Sequence, residues 1–462
     1  MQANYYIKCD ICGAVSNLKY QMGFSKRHPI RFKCPCGVSI RGEFSEKSGI
    51  SFENAQIIED KSKELPALVV YSSGDFLTVP PFVPTEPAQL FMPSSFMLAT
   101  SYLNYEEFRK EFSFVVAYRD KFHQINRAIN ELYFANNEAL LIKTIKKNYS
   151  SSVFNIHINN NTDVFRAVAK INQFQFLNSK ESHAVMKITS LYQKAVLEKR
   201  TELENYLSFL NKLNRLEGWK KRIYNLCDLM YEKIDLLIPI ISVDFYNGDK
   251  EKMLDGGFAI TTTSFEDIKQ LYVDLYELIA DILVLMVGFD NVLERGDYEK
   301  IKPVEGLKVS SLSDMANMRN KGNIIKFLDN GGVACELVCK CLSSDTRNSI
   351  GHYDYEAEEI ANSLGQKIKF YNVNNKEEFE EKTLTQICYD VWQMYNCMGI
   401  FGELVYRLEM HNKALEGQYP SECNDLQYKT VIGLDKKKRK IYPNDKCPCG
   451  SGLKYKKCCG KN

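Results

Sequence analysis

The sequence predicts a mainly α protein: a helical-bundle body with a small β module at its N-terminus and a short cysteine knuckle at its C-terminus. Three observations predict it. Two long stretches in the second half carry apolar residues at spacings of three and four, cysteines gather at both ends, and a proline-rich segment closes off the first end. At 462 residues the chain exceeds one ordinary core, and 45% hydrophobic with 26% charged residues is a globular balance.

The first element is a cysteine module. Cys9-Asp-Ile-Cys12-Gly13 and Cys34-Pro-Cys36-Gly37 form two knuckles twenty-one residues apart, a length suited to a β-hairpin excursion. A glycine after each knuckle is what a tight ligand turn requires. Four soft thiolates at this spacing are a structural zinc set, and the arrangement resembles a zinc ribbon. The second knuckle departs from it, being C-x-C rather than C-x2-C. Lys26, Arg27, His28, Arg31 and Lys33 lie between the knuckles and make RNA a candidate partner. Short β-like runs follow at Ala67–Tyr71 and Phe76–Val79. Pro80, Pro81, Pro84, Pro87 and Pro93 then end regular structure, placing a first domain at residues 1–95.

A helical region of unassigned role is expected over 96–215, with a polar break from Asn148 to Asp163. The next domain, 216–415, holds the two marked helices. Phe265, Ile268, Leu271, Tyr272, Leu275, Ile279, Ile282 and Leu283 keep helical spacing, and Ser264 with Asp267 offers a capping box. Leu384, Ile387, Val391, Trp392, Tyr395 and Met398 repeat the pattern. Between them, Val333–Leu342 reads as an apolar helical segment and Lys367–Tyr371 as an exposed strand. Cys335, Cys339 and Cys341 on that segment read as buried small hydrophobes rather than ligands.

Charge and cysteine usage bound the setting. Net charge is only +2, yet residues 1–44 carry +5 and residues 425–462 carry +8, so the body between them is acidic. Fifteen cysteines behind an N-terminus without a secretory pattern point to a reducing compartment, and the expected location is the cytoplasm. The most apolar stretch, Leu271–Phe289, is interrupted by Asp274, Glu277 and Asp281, so no membrane span is expected.

A basic linker, 416–444, leads to the last module, 445–462. Cys447-Pro-Cys449-Gly-Ser-Gly and Cys458-Cys459-Gly460 supply four thiolates in a segment too short for a hydrophobic core, so a zinc ion would be its core. The cysteine spacing and the Gly-Ser-Gly turn resemble the SEC-C motif seen at the end of SecA proteins. That resemblance implies docking to a protein or the ribosome. Four thiolates leave no position for a substrate water, which also makes the site structural. With the first module, two structural Zn²⁺ sites are expected.

The segment Asp345-Thr-Arg347-Asn348-Ser-Ile-Gly-His352-Tyr-Asp-Tyr355 is the candidate for chemistry. RNA cleavage without metal needs a base for the 2′-OH, an acid for the leaving oxygen and a cation for the phosphorane charge. His352 suits either proton role, Arg347 stays charged and pairs with phosphate oxygens, and Asn348 can orient the imidazole or the phosphate. Five helical positions are roughly 140° of rotation, so Arg347 and His352 would flank a cleft. The Arg-Asn-x-x-x-His stretch and its setting between long helices, over about residues 219–408, resemble HEPN ribonucleases. The resemblance implies catalytic residues Arg347, Asn348 and His352, a homodimer with two facing motifs, 2′,3′-cyclic phosphate and 5′-OH ends, and a role in abortive infection or toxin-like defence. Two other readings stand beside it. One is a non-catalytic zinc adaptor; the other is a ribosome- or translocation-associated accessory protein.

Overall fold

The computed structural model describes residues 2–59, 64–90, 93–149, 156–177, 181–358, 366–422, 444 and 454–457. The strands of the N-terminal module are β1 (Gln2–Cys9), β2 (Val15–Gln21), β3 (Arg27–Lys33), β4 (Ser39–Ser45), β5 (Gly49–Glu53), β6 (Ala55–Ile58) and β7 (Leu68–Ser73). They form two sheets, β6-β1-β2-β7 and β3-β4-β5. The β2–β7 pairing is parallel and the others are antiparallel. Ile7, Leu18, Ile30, Phe32, Ile40, Leu68 and Val70 make a small core of their own between the sheets.

The expected hairpin between the two knuckles is replaced by a different arrangement. Cys9–Cys12 turns the chain from β1 to β2, Cys34–Cys36 turns it from β3 to β4, and the two hairpins lie in different sheets. Another departure concerns the loop cations. Along β3, His28, Ile30 and Phe32 share one face by strand alternation, and all three are buried. His28 stacks on Tyr20 at 4.4 Å between centroids, and burial pushes its imidazole down to about 3. Arg31 is committed as well: its Nη1 donates to the carbonyls of Ile30 and Gly42, and its Nε pairs with Asp267 at 3.3 Å. These two are therefore structural groups, while Lys26 and Arg27 stay exposed.

The long helices of the body are α1 (Ser95–Tyr102), α2 (Tyr105–Lys121), α3 (His123–Phe134), α4 (Glu138–Asn148), α5 (Asn161–Gln173), α6 (Glu181–Glu198), α7 (Arg200–Leu213), α8 (Leu216–Glu232), α9 (Phe265–Arg295), α10 (Ser344–His352) and α11 (Leu384–Leu415). A second small sheet, β8 (Tyr355–Glu358), β9 (Lys367–Tyr371) and β10 (Phe379–Thr383), has β9 in its centre. One apolar core runs from Phe76 to Leu408, so helices on both sides of residue 215 bury their faces together. Among the described residues no helix is long and apolar enough to cross a membrane.

Helices α9 and α11 are the axis of this core. They pack on each other, and α11 also packs on α5, α6 and α8. Both start at full capping boxes, Ser264 with Asp267 and Thr383 with Gln386, each satisfying two of the orphan donors of a helix start. Asp267 has two roles, since the carboxylate that caps α9 also receives Arg31 and so docks the N-terminal module. Gly288 in α9 is required by close approach: a Cβ there would lie 2.6 Å from both Leu312 and Tyr206 side-chain atoms.

Residues 333–342 are not the expected helix. They form a single tight turn, Cys335–Leu337, followed by irregular chain that bends at Val338 and Lys340. The reason is Asp290, a buried α9 carboxylate that accepts the N–H groups of Gly332 (2.9 Å), Ala334 (2.7 Å) and Cys335 (2.9 Å). Donors used this way draw the chain around one carboxylate instead of along a helix axis.

Candidate functional site

Helix α10 is short, and its ends are fixed by local chemistry. The Ser343 hydroxyl accepts from the Thr346 N–H at 3.1 Å, capping the start. The same hydroxyl donates to Glu380 at 2.6 Å, and Thr346 donates to that carboxylate at 2.8 Å. Burial would raise the Glu380 carboxyl, but Lys382 and these two hydroxyls outweigh it and hold it below its ordinary range. At the other end Tyr353 takes a left-handed conformation, φ +59°, which lets the Asp354 N–H bond back to Ser349 O at 2.9 Å. Thr346, Ser349 and Ile350 form the buried face against α9 and β9.

The opposite side carries the three residues singled out by the sequence. Arg347 is about one-third exposed; its Nε donates to Glu277 Oε1 at 2.6 Å and its Nη1 to Asn348 Oδ1 at 3.0 Å. Lys321 is ion-paired with the second oxygen of Glu277, so one carboxylate bridges two cations. Asn348 thus orients the guanidinium rather than the imidazole. His352 is exposed at the last turn, and among the described residues it has no hydrogen bond or ion pair. Beside it Tyr353 is 78% exposed, and Lys269 Nζ lies 5.7 Å from the Tyr353 ring centroid while donating to the Tyr355 hydroxyl at 2.7 Å. A carboxylate-held guanidinium and a solvent-facing imidazole on one short helix, with a second cation on a neighbouring element, can bind an anion and move a proton.

Glu277, Lys321 and Lys269 escaped the sequence reading. Glu277 had a signal, because Asp274, Glu277 and Asp281 follow at three and four residues and mark a polar stripe on an otherwise apolar helix. That stripe is in use along its length: Gln270 donates to Asp274, Arg347 to Glu277, and Trp219 with Arg222 to Asp281. Lys321 and Lys269 had no motif to find them by.

The second candidate is the N-terminal cysteine set. Cys9, Cys12, Cys34 and Cys36 bring their sulfurs within 4.8 Å of one another, with Cys12 and Cys34 at 3.5 Å. Cys9 and Cys34 are buried, and Cys12 and Cys36 are exposed. Burial raises the Cys9 thiol, but N–H groups of Cys12 and Ile11 and the neighbouring sulfurs outweigh it and bring it down to about 7. Burial pushes Cys34 up instead. Left-handed glycines, Gly13 at φ +74° and Gly37 at φ +90°, close both knuckles as expected. Four sulfurs in this space fit a tetrahedral ion with Zn–S near 2.3 Å. Cys447, Cys449, Cys458 and Cys459 lie outside the described residues. Of the other histidines, His123 pairs with Asp228 at 2.8 Å, His157 lies 3.6 Å from Glu422, and His411 is buried against the Tyr192 hydroxyl at 2.8 Å.

Comparison with known proteins bears on the C-terminal module alone. The SEC-C motif family model matches residues 444–461. The chain is 42% identical over 62 residues to the protein translocase subunit SecA of Maridesulfovibrio salexigens, covering 12% of this chain and 7% of that protein. It is 77% identical over 26 residues to SecA of Thermodesulfovibrio yellowstonii, covering 6% and 3%, and 73% identical over 26 residues to SecA of Syntrophobacter fumaroxidans, again 6% and 3%. The chain thus spans less than a tenth of these relatives' length, and the matches fall in the SEC-C region. No solved structure matches. The chain carries a SEC-C motif, a zinc-binding motif, and a separate four-cysteine cluster able to hold a metal ion.

Proposed function

We propose that the protein is a metal-independent endoribonuclease of HEPN type, acting in an abortive-infection or toxin-like defence system and directed to its RNA or to the ribosome by two zinc modules. One observation carries the reading: Arg347 and His352 sit on one helix, both reachable from solvent, with the imidazole uncommitted and the guanidinium shared with a single carboxylate. His352 moves the proton of the 2′-OH or of the leaving oxygen. Arg347 exchanges Glu277 for a phosphate oxygen and offsets the charge that develops on phosphorus. Lys321 keeps Glu277 neutralised when Arg347 leaves it. Asn348 aims the guanidinium. One His352 per chain supplies only one proton carrier, so the second comes from another copy, and the active form is a homodimer with facing motifs.

In the same reading each zinc is structural, one held by Cys9, Cys12, Cys34 and Cys36 and one by Cys447, Cys449, Cys458 and Cys459. The SEC-C match favours a second reading, a non-catalytic adaptor that docks on the ribosome or a translocation component. In that case the Arg347–Glu277–Lys321 bridge is a structural tie between α9 and α10. Incubating purified protein with total RNA and mapping the cleaved ends decides between them. The expected products carry 2′,3′-cyclic phosphate and 5′-OH; intact RNA, or 3′-OH with 5′-phosphate ends, leaves the adaptor.

A further inference from the structure

Cysteines from two distant parts of the sequence come together at the chain segment that feeds α10. Cys339 and Cys341 lie in the irregular chain before the helix, and Cys397 lies on α11. The Cys339 N–H donates to Cys397 Sγ at 3.3 Å, which brings these two residues into direct contact. Cys341 in turn donates to Asp390 O at 3.6 Å. Cys339 and Cys397 line a cavity of about 450 Å³ that α6 borders with the exposed His183 and Lys187.

Two chemistries suit such a group, a bound thiophilic ion or a disulfide. Geometry separates them. Among the described residues only the N-terminal set brings three or more ligand atoms within 4.8 Å of one another, so these sulfurs are not a preformed metal cage. Two cysteines in direct contact on the wall of one cavity suit two-centre sulfur chemistry instead. We propose that Cys339 and Cys397 are an oxidisable dithiol, converted to an intramolecular disulfide by hydrogen peroxide entering this cavity.

The roles follow from the hydrogen bonds. Cys397 Sγ accepts the Cys339 N–H, and its contacts with Cys339 outweigh burial and lower its thiol, whereas the neighbouring Cys341 and Cys397 sulfurs and burial hold the Cys339 thiol well above the ordinary range. Cys397 is therefore the attacking thiolate and Cys339 the resolving thiol. The Cys397 sulfur attacks one peroxide oxygen, the O–O bond breaks, and the departing hydroxide leaves as water with a proton, giving a sulfenic acid. The Cys339 sulfur then displaces the second oxygen, which also leaves as water, and the S–S bond forms. Two thiols lose two hydrogens and two electrons, and one peroxide becomes two waters. Cys397 is only 2% exposed, so a small oxidant reaches it and a bulky disulfide does not. The bond would tie the segment four residues ahead of Ser343, the cap of α10, to α11.

The test is site-resolved mass spectrometry of the full chain after peroxide treatment, thiol alkylation and digestion without reductant. The expected product is a Cys339–Cys397 cross-linked peptide two hydrogens lighter than the separate thiol peptides and released by dithiothreitol. In Cys339→Ser, with unchanged circular dichroism, dimedone should label Cys397 as a trapped sulfenic acid. Full alkylation of both thiols after peroxide, a Cys339–Cys341 bond in place of the expected one, or no dimedone on Cys397 overturns the proposal.

Discussion

The N-terminal cysteine cluster and helix α10 are both short polar structures built at turns, yet they are held in opposite ways. The cluster sits where two hairpins from different sheets bring four sulfurs together, over a core of a dozen or so side chains. Helix α10 is tied into the main core by carboxylates: Glu380 takes its cap, Glu277 takes Arg347, and Asp290 gathers the segment before it. One site offers four sulfurs to a single ion, whereas the other has its electrostatics supplied by the protein's own carboxylates and cations.

The largest effect should come from removing the ion. Structural zinc in small modules contributes an apparent 10–16 kcal/mol or so. Chelation, or Cys9→Ser with Cys12→Ser, should expose the amides of residues 2–58 to rapid hydrogen exchange while α9 and α11 keep their protection. Loss of protection in both regions together would break the distinction. Metal content should fall by one zinc per chain in the double variant.

The proposed catalysis is the next test, because the residues assigned to it lie apart from the cysteine cluster. Arg347→Ala and His352→Ala should each lower RNA cleavage by about 10²–10⁴-fold with zinc content and circular dichroism unchanged. Wild-type rates in either variant would return Arg347 and His352 to structural roles.

A third test attacks the carboxylates themselves. Asp290→Ala leaves three buried backbone N–H groups without their acceptor, at about 1–3 kcal/mol each before relaxation, so a loss of roughly 3–5 kcal/mol is expected in chemical denaturation. Zinc retention by the N-terminal cluster should be untouched. A change below about 1 kcal/mol would mean that the loop does not depend on Asp290.

How much of this was legible depended on range. Helices α9 and α11 and the capping box of α9 were readable, because spacing and cap chemistry are local. The knuckles were readable as ligands but not as turns of two separate sheets, since nothing local says which strands pair. His28 shows a missed local signal: alternation with Ile30 and Phe32 marks it as an inward residue, but its charge class drew it to the surface. The bend at 333–342 was invisible, because its cause, Asp290, lies over forty residues earlier and the run itself is apolar. Glu277 and Cys397 share that difficulty. Their roles come from partners 70 and 58 residues away.

The smallest effect concerns two buried groups that oppose each other beside the N-terminal sheets. His28 is held neutral by burial, at about 3, and Asp75 is pushed up to about 6 by burial despite the N–H groups of Phe24 and Ser25. For His28 the folded value lies below the unfolded one near 6.5, so its contribution is complete above pH 6.5 and is lost as pH falls toward 3. For Asp75 the folded value lies above the unfolded one near 3.8, so its contribution is complete below pH 3.8 and is lost as pH rises through 6. Between pH 7 and pH 5 the histidine should cost about 2 kcal/mol while the aspartate returns about 1.4 kcal/mol, leaving little net change. Single variants should separate the two. Measured against wild type at each pH, which cancels the proton linkage of zinc binding, His28→Gln should gain relative stability on acidification and Asp75→Asn should lose it. Parallel, flat differences for both variants would show that neither group changes its proton affinity on folding, and the N-terminal module would then owe its acid sensitivity to its thiolates alone.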